Sequence, residues 1–301
     1  MAITSYADIS RMVVAGQKQV YDTYDKSIPR EYPGYTAPKT ATKWTETYDS
    51  MGNLQAGYEH FENTKLTYGK VAQAYQTSCE TRIWANGFAH TEVAIAADLY
   101  GVINSVKASE LAQTMIDLEE ERAVYWLNYA FATEALADSA YLCSDTHPCK
   151  DAAGTYNDTL TTGALSYDTL KAAVKQFVLF KNHAGRPITS TPRRLITHAY
   201  NQTEVDEILG SANVPHEISN TKNVLPKLTP VYLHYLDSQT AWFLEDPRYE
   251  HVLFQTLAGY GLKFENAENK VDNPGDIYIN ARAYYNTCAL PNVGIVGSVG
   301  T

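Results

Sequence analysis

Three groupings of side chains in this sequence could do chemistry. The densest is acidic: Glu119, Glu120 and Glu121 follow Asp117 and precede Glu134 in a stretch rich in helix-forming residues. Carboxylates projecting from helices can hold two metal ions, but that arrangement also uses a Glu-x-x-His pair on each of two helices. The sequence contains no such pair. A charge run along a helix marks an exposed or partner-facing surface, and Glu119, Glu120 and Arg122 are read that way. The second grouping, Cys143, His147 and Cys149, offers zinc-type ligands. Its cysteine spacing is wider than the two to four residues usual in structural zinc sites, and no second close pair completes the set. Unpaired loop thiols are expected there, and no metal. The third grouping is the histidines, which include His90, His183, His198, His216 and His234. None stands at a recognisable catalytic spacing from Ser, Cys or Asp, and nucleophile-elbow, zinc-protease and phosphate-loop motifs are missing. No catalytic residue and no cofactor are assigned.

Two Gly-plus-cation turns, Tyr68-Gly69-Lys70 and Asn182 to Pro187, could cradle a phosphate. Neither lies between a strand and a helix start, so turn chemistry accounts for both. The sequons at Asn157 and Asn201 matter only in a secreted chain, and the N-terminal residues lack a signal pattern.

The 301 residues carry 24 Lys plus Arg against 34 Asp plus Glu, a formal charge of −10. That balance argues against a general nucleic-acid binder, whose affinity comes from cations on the phosphate backbone. With 45% hydrophobic and 19% charged residues the chain can build a core. No segment has the run of about 18 apolar residues that crosses a membrane. Four cysteines are too few for a disulfide scaffold, and a reducing cytoplasm is the expected compartment. Tyrosine is over-represented: there are 23, against 8 Phe and 4 Trp. Tyrosine suits surfaces that are half buried against a partner, because one end is apolar and the other stays wet.

The elements that position these residues are legible in outline. Residues 1–43 pair a short amphipathic stretch, Ile9 to Tyr24, with an extended segment carrying Pro29, Pro33 and Pro38, and read as an arm lying on something else. Residues 44–84 alternate polar and aromatic types between Gly-containing turns, the pattern of a long hairpin without a strongly apolar face. Such a ribbon is marginal alone and needs another surface. Residues 107–136 contain no Gly or Pro, and Ala112, Ile116, Ala123, Leu127 and Ala130 fall on one face of a long spine helix. A small-residue loop insert follows at 138–163. Ser166 caps a helix from Tyr167 to about Lys181, and Asn201 with Glu204 reads as a capping box. Strands follow at PRRLITH, around Val231 to Tyr235, at Ala241 to Leu244, and at GDIYINARAYYN, where Ile277, Ile279, Ala281 and Ala283 share a face.

This order, and the segments FAHTEVAIAADLYGVINSV, ALSYDTLKAAVKQFVLFKNHAGRPITSTPRRLITHAYNQTEVDEILGSA, TAWFLEDP and GDIYINARAYYN, resemble the major capsid proteins of tailed bacteriophages. The Hong Kong 97-type fold is implied, most similar to Mu-like major head subunits. The resemblance implies an α+β chain with an N-terminal arm at 1–43, an extended loop at 44–84, a peripheral domain with its spine helix at 85–164 and 271–301, and an axial α/β domain at 165–270. It implies self-assembly as hexamers and pentamers into an icosahedral shell around double-stranded DNA, touched nonspecifically. Portal, a separate scaffolding protein or a scaffolding segment already removed, a head maturation protease and decoration proteins are the implied partners, with no membrane. The expected assembly surface is Trp44, Tyr48, Tyr58, Phe61, Tyr68, Lys70 and Tyr75 on the ribbon, with Glu119, Glu120 and Arg122 on the spine. Tyr21, Tyr24, Tyr32 and Tyr35 of the arm are expected at subunit contacts as well. Some members of this fold crosslink Lys to Asn; Lys70 lies in the right region, but no partner is identified and no crosslink is expected. An encapsulin-like compartment and an α/β enzyme with a spatially assembled site are the alternatives.

Overall fold

The computed structural model describes residues 6–300 except 55–58, 67, 69–70, 92, 94–96, 98–101, 151–155, 215–221, 261–262 and 268–276. Helix α1 (Tyr6–Ser27) precedes strand β1 (Ala37–Ala41), and strands β2 (Thr45–Leu54) and β3 (Val71–Glu80) form a two-stranded ribbon. After Thr81 the chain continues into β4 (Arg82–His90) and then helix α2 (Val102–Asn128). Short strands β5 (His147–Pro148), β6 (Tyr156–Asn157) and β7 (Leu160–Thr161) lead to helix α3 (Tyr167–Leu179), β8 (Arg194–His198) and helix α4 (Gln202–Gly210). The chain ends in β9 (Thr229–Leu233), β10 (Trp242–Glu245), β11 (Val252–Leu257), β12 (Lys263–Ala267), β13 (Ile277–Ala289) and β14 (Ile295–Ser298).

Strand β13 is the axis of the first sheet. Strand β4 pairs along one of its edges, and β12 and then β11 pair along the other, with β1 added in parallel outside β11. Pro38 sits in β1, where a residue without an N–H is tolerated because the strand is an edge. The predicted alternation in β13 holds, since Ile279, Ala281 and Ala283 are all buried. Helix α2 lays its face across this sheet and joins the same core through Leu111, Met115, Val124 and Leu127.

The second sheet has the order β7-β14-β10-β8-β9, and its inner strands β14, β10 and β8 are buried on both faces. These strands therefore read as continuous apolar runs rather than alternating ones. Ile196, Phe243 and Ile295 face the α2 core, whereas Leu195, Trp242, Leu244 and Val296 face a second core closed by Leu170, Ala173 and Phe177 of α3 and Val205 and Ile208 of α4. One sheet thus separates two apolar cores. Ser166 caps α3 as predicted, accepting from the Thr169 N–H while the Thr169 hydroxyl returns to the Ser166 N–H.

Five expectations need correction. Residues 6–27 form a helix longer than the expected stretch from Ile9 to Tyr24; α1 packs along α2, and Tyr21 and Tyr35 are buried in the chain's own core rather than at subunit contacts. The spine helix starts earlier and ends at Asn128, whose side chain is held by the Tyr235 carbonyl and the Asp237 N–H while the chain turns away. Asn201 makes no capping bond; its amide donates instead to Thr197 Oγ1 and the Gln239 carbonyl. The 138–163 insert is more than loop, because β5 pairs β6 and β7 extends the second sheet beside β14. Finally, Cys79 and Cys288 form a disulfide with a Cα–Cα separation of 5.9 Å, so the expectation of reduced thiols fails for this pair. Strands β3 and β13 bring together residues 209 apart in sequence.

Candidate functional site

The ribbon of β2 and β3 leaves the first sheet at a tightly bonded root. Thr81 N–H donates to the Trp44 carbonyl, Asn286 Nδ2 donates to the Glu80 carbonyl at 2.7 Å, and Gln255 Nε2 donates to Thr81 Oγ1 at 3.1 Å. The Cys79–Cys288 disulfide lies within this root. Tyr48 hydroxyl donates to Gln255 Oε1 at 2.8 Å, so its polar end is used inside the chain. Beyond Tyr48 the pairing slips twice, between Asp49 and Met51 and between Met51 and Leu54. Bulges of this kind bend and twist a ribbon away from its sheet. Toward the tip the described side chains are uncovered: Phe61 is 62%, Leu66 50% and Tyr68 85% exposed. Leu66 was missed from sequence, because an isolated leucine in a polar stretch carries no pattern.

The other expected residues fall into different settings. Trp44 is exposed and donates from Nε1 to Glu80 Oε1. Tyr75 packs edge-on to His183 with Lys150 over its ring, tying β3 to the insert and to the turn after α3. Tyr58 and Lys70 lie outside the described residues. On the spine, Arg122 is sandwiched against the rings of Trp84 and Tyr125 at 5.0 and 4.3 Å, and burial pushes its guanidinium down.

Glu119 and Glu120 are corrected from surface groups to internal ones. Glu119 bonds Arg30 Nε at 3.1 Å, and Glu120 is 2% exposed, accepting from the Glu31 and Tyr32 backbone N–H groups at 2.6 and 3.1 Å. Together they fasten the segment after α1 to the spine. Glu31 itself accepts from His234 N–H and contacts its ring, joining the loop after β9 to the same latch. Burial pushes the Glu120 carboxyl up to about 7, against the two N–H donors that favour its charged form.

Cys143 and Cys149 are both buried, and burial pushes both thiols up, disfavouring the thiolate that ligates metals. His147 Nδ1 is bonded to Asp138 at 2.7 Å. In the turn at 182–187, Asn182 Oδ1 accepts from the Ala184 and Arg186 N–H groups, so those donors serve the turn itself. A cleft of about 510 Å³ separates this turn from Thr47 to Asp49 of the ribbon root. Among the described residues no group of three or more His, Cys, Asp or Glu side chains could hold a metal ion, and no helix is long and apolar enough to cross a membrane.

The topology around this ribbon is the α+β capsid fold of tailed phages, the Hong Kong 97-type architecture that the resemblance implied. The capsid chain of cyanophage P-SCSP1u superposes with a TM-score of 0.53 at 12% identity, covering 89% of this chain and 86% of that one. The capsid of a native GTA particle matches with a TM-score of 0.59 at 7% identity, covering 90% and 91%. A chain of Mycobacterium phage Cain gives 0.53 at 12% identity over 91% and 90%. No family model matches the sequence, and no curated protein matches it in sequence. At such identities the likeness speaks for the fold.

Proposed function

We propose that this chain is the major capsid protein of a tailed bacteriophage, assembling as hexamers and pentamers into an icosahedral shell that encloses double-stranded DNA. The observation that carries this reading is the ribbon: rigid at its root, bulged beyond Tyr48, and bearing Phe61, Leu66 and Tyr68 that its own chain does not cover. Apolar and aromatic side chains presented on a projecting hairpin fit an intersubunit clasp, the use that the capsid fold gives such a loop. The role is structural, and the work is done by many repeated contacts rather than by a reaction. In this reading residues 85–164 and 271–301 form the peripheral domain and 165–270 the axial domain. Portal, scaffolding and maturation-protease partners belong to the same proposal. A net charge of −10 suits a wall that DNA touches without being gripped.

Deleting residues 50–70 tests the clasp. Electron microscopy of the expressed variant should show a loss of closed shells, while circular dichroism and a cooperative thermal transition report an intact core. Shells of normal yield and stability after this deletion would refute the role.

A further inference from the structure

Helices α3 and α4 cover the same face of the second sheet, but toward its opposite ends. Helix α3 packs on β7 and β14, whereas Asp206 of α4 accepts from the Tyr232 hydroxyl of β9 at 2.8 Å. With the order β7-β14-β10-β8-β9, the two outer strands are about 19 Å apart at roughly 4.8 Å per strand. The buried sides of both helices meet in one core, so their outward sides are separate surfaces.

Those outward surfaces differ in charge and match in apolar content. On α3, Lys171 and Lys175 are exposed one turn apart, and Val178 and Leu179 continue the stripe at 72% exposure each. On α4, Glu204 and Glu207 are exposed one turn apart and the helix contains no cation. Tyr200, 74% exposed, stands just before it. A two-fold contact can pair α3 with α4 twice over, each stripe meeting the opposite stripe of the other copy. Used once per interface, the same pairing is head-to-tail and closes into a ring when the rotation permits, as a capsomer needs.

We propose that the α3 surface of Lys171, Lys175, Val178 and Leu179 docks on the α4 surface of Tyr200, Glu204 and Glu207 in a second copy of this chain. This rests on the shell reading and gives one residue set that joins neighbours within a capsomer. The apolar residues supply affinity, since exposed ion pairs each add little, and the charges fix direction and exclude self-pairing.

Charge exchange on the full chain tests it. Lys171→Glu with Lys175→Glu, and separately Glu204→Lys with Glu207→Lys, should each lower the yield of rings and shells at least tenfold by analytical ultracentrifugation and electron microscopy. All four side chains are exposed, so thermal unfolding should stay cooperative in each variant, with only a small shift where Lys171 leaves the Tyr167 ring and Glu207 loses its contact within the chain. Combining the four substitutions restores opposite charges and should restore assembly. Val178→Asp should also block it, without rescue by the exchange. Normal assembly by either charge-reversed pair, or no recovery in the four-fold variant, overturns this docking surface while leaving the shell reading standing. A wild-type chain that stays monomeric at every concentration overturns both.

Discussion

Glu120 concentrates the residue-scale physics, because a carboxylate so little exposed accepts from two backbone N–H groups and lies near other charges. Its carboxyl is pushed from an ordinary value of 4.5 to about 7, with the Glu31 carboxylate adding to the effect and the Arg30 guanidinium opposing it. Between those values the folded chain keeps a proton that the unfolded chain has released. Stability is therefore greatest below about pH 4.5 for this group and is lost as pH rises to about 7. The contribution is up to roughly 3 kcal/mol. Glu120→Gln should flatten that slope, read as the difference in urea midpoint between pH 5 and pH 7.5. An unchanged slope would remove Glu120 as its source. This role was illegible in sequence: a run of three glutamates looks solvated, and only the return of residues 30–32 along the spine buries two of them. The arm tyrosines misled for the same reason. Tyr21 and Tyr35 serve the core, and Tyr32 stacks on Phe254 at 4.3 Å between ring centroids.

At the scale of elements, local chemistry that acts within a few residues was readable and long-range pairing was not. The Ser166 cap, the alternation of β13 and the apolar run of β10 all follow from neighbours in sequence. The end of α2 and the Cys79–Cys288 bond depend on partners more than 100 residues away. That disulfide joins the ribbon root to β13, so movement of the ribbon is directed to the bulges beyond Tyr48 rather than to its base. Serine at both positions should lower stability by roughly 2–5 kcal/mol, the range for loss of a native crosslink. Denaturant melts with and without reductant would register it. The hydrogen bonds of Thr81, Gln255 and Asn286 should keep the root assembled, visible as retained amide protection at residues 79–82. Equal stability of the serine variant, or peptide mapping that finds both thiols free, would contradict the crosslinked root.

For the whole molecule, the order of elements carried more than any motif. Arm, ribbon, spine, α/β segment and returning strand pointed to the capsid fold, and the superposition on phage capsid chains agrees with that order. The ribbon was legible because it is too polar to bury itself. The exposed stripes of α3 and α4 were not, since a charged helix face has the same pattern whether it meets water or another copy. The central claim is closed assembly, and cryo-electron microscopy of particles formed by the full chain tests it most directly. The account predicts icosahedral shells of hexamers and pentamers, with density for the 45–80 ribbon lying over a neighbouring subunit. Discrete monomers or dimers, or shells in which that ribbon folds back on its own subunit, would contradict it.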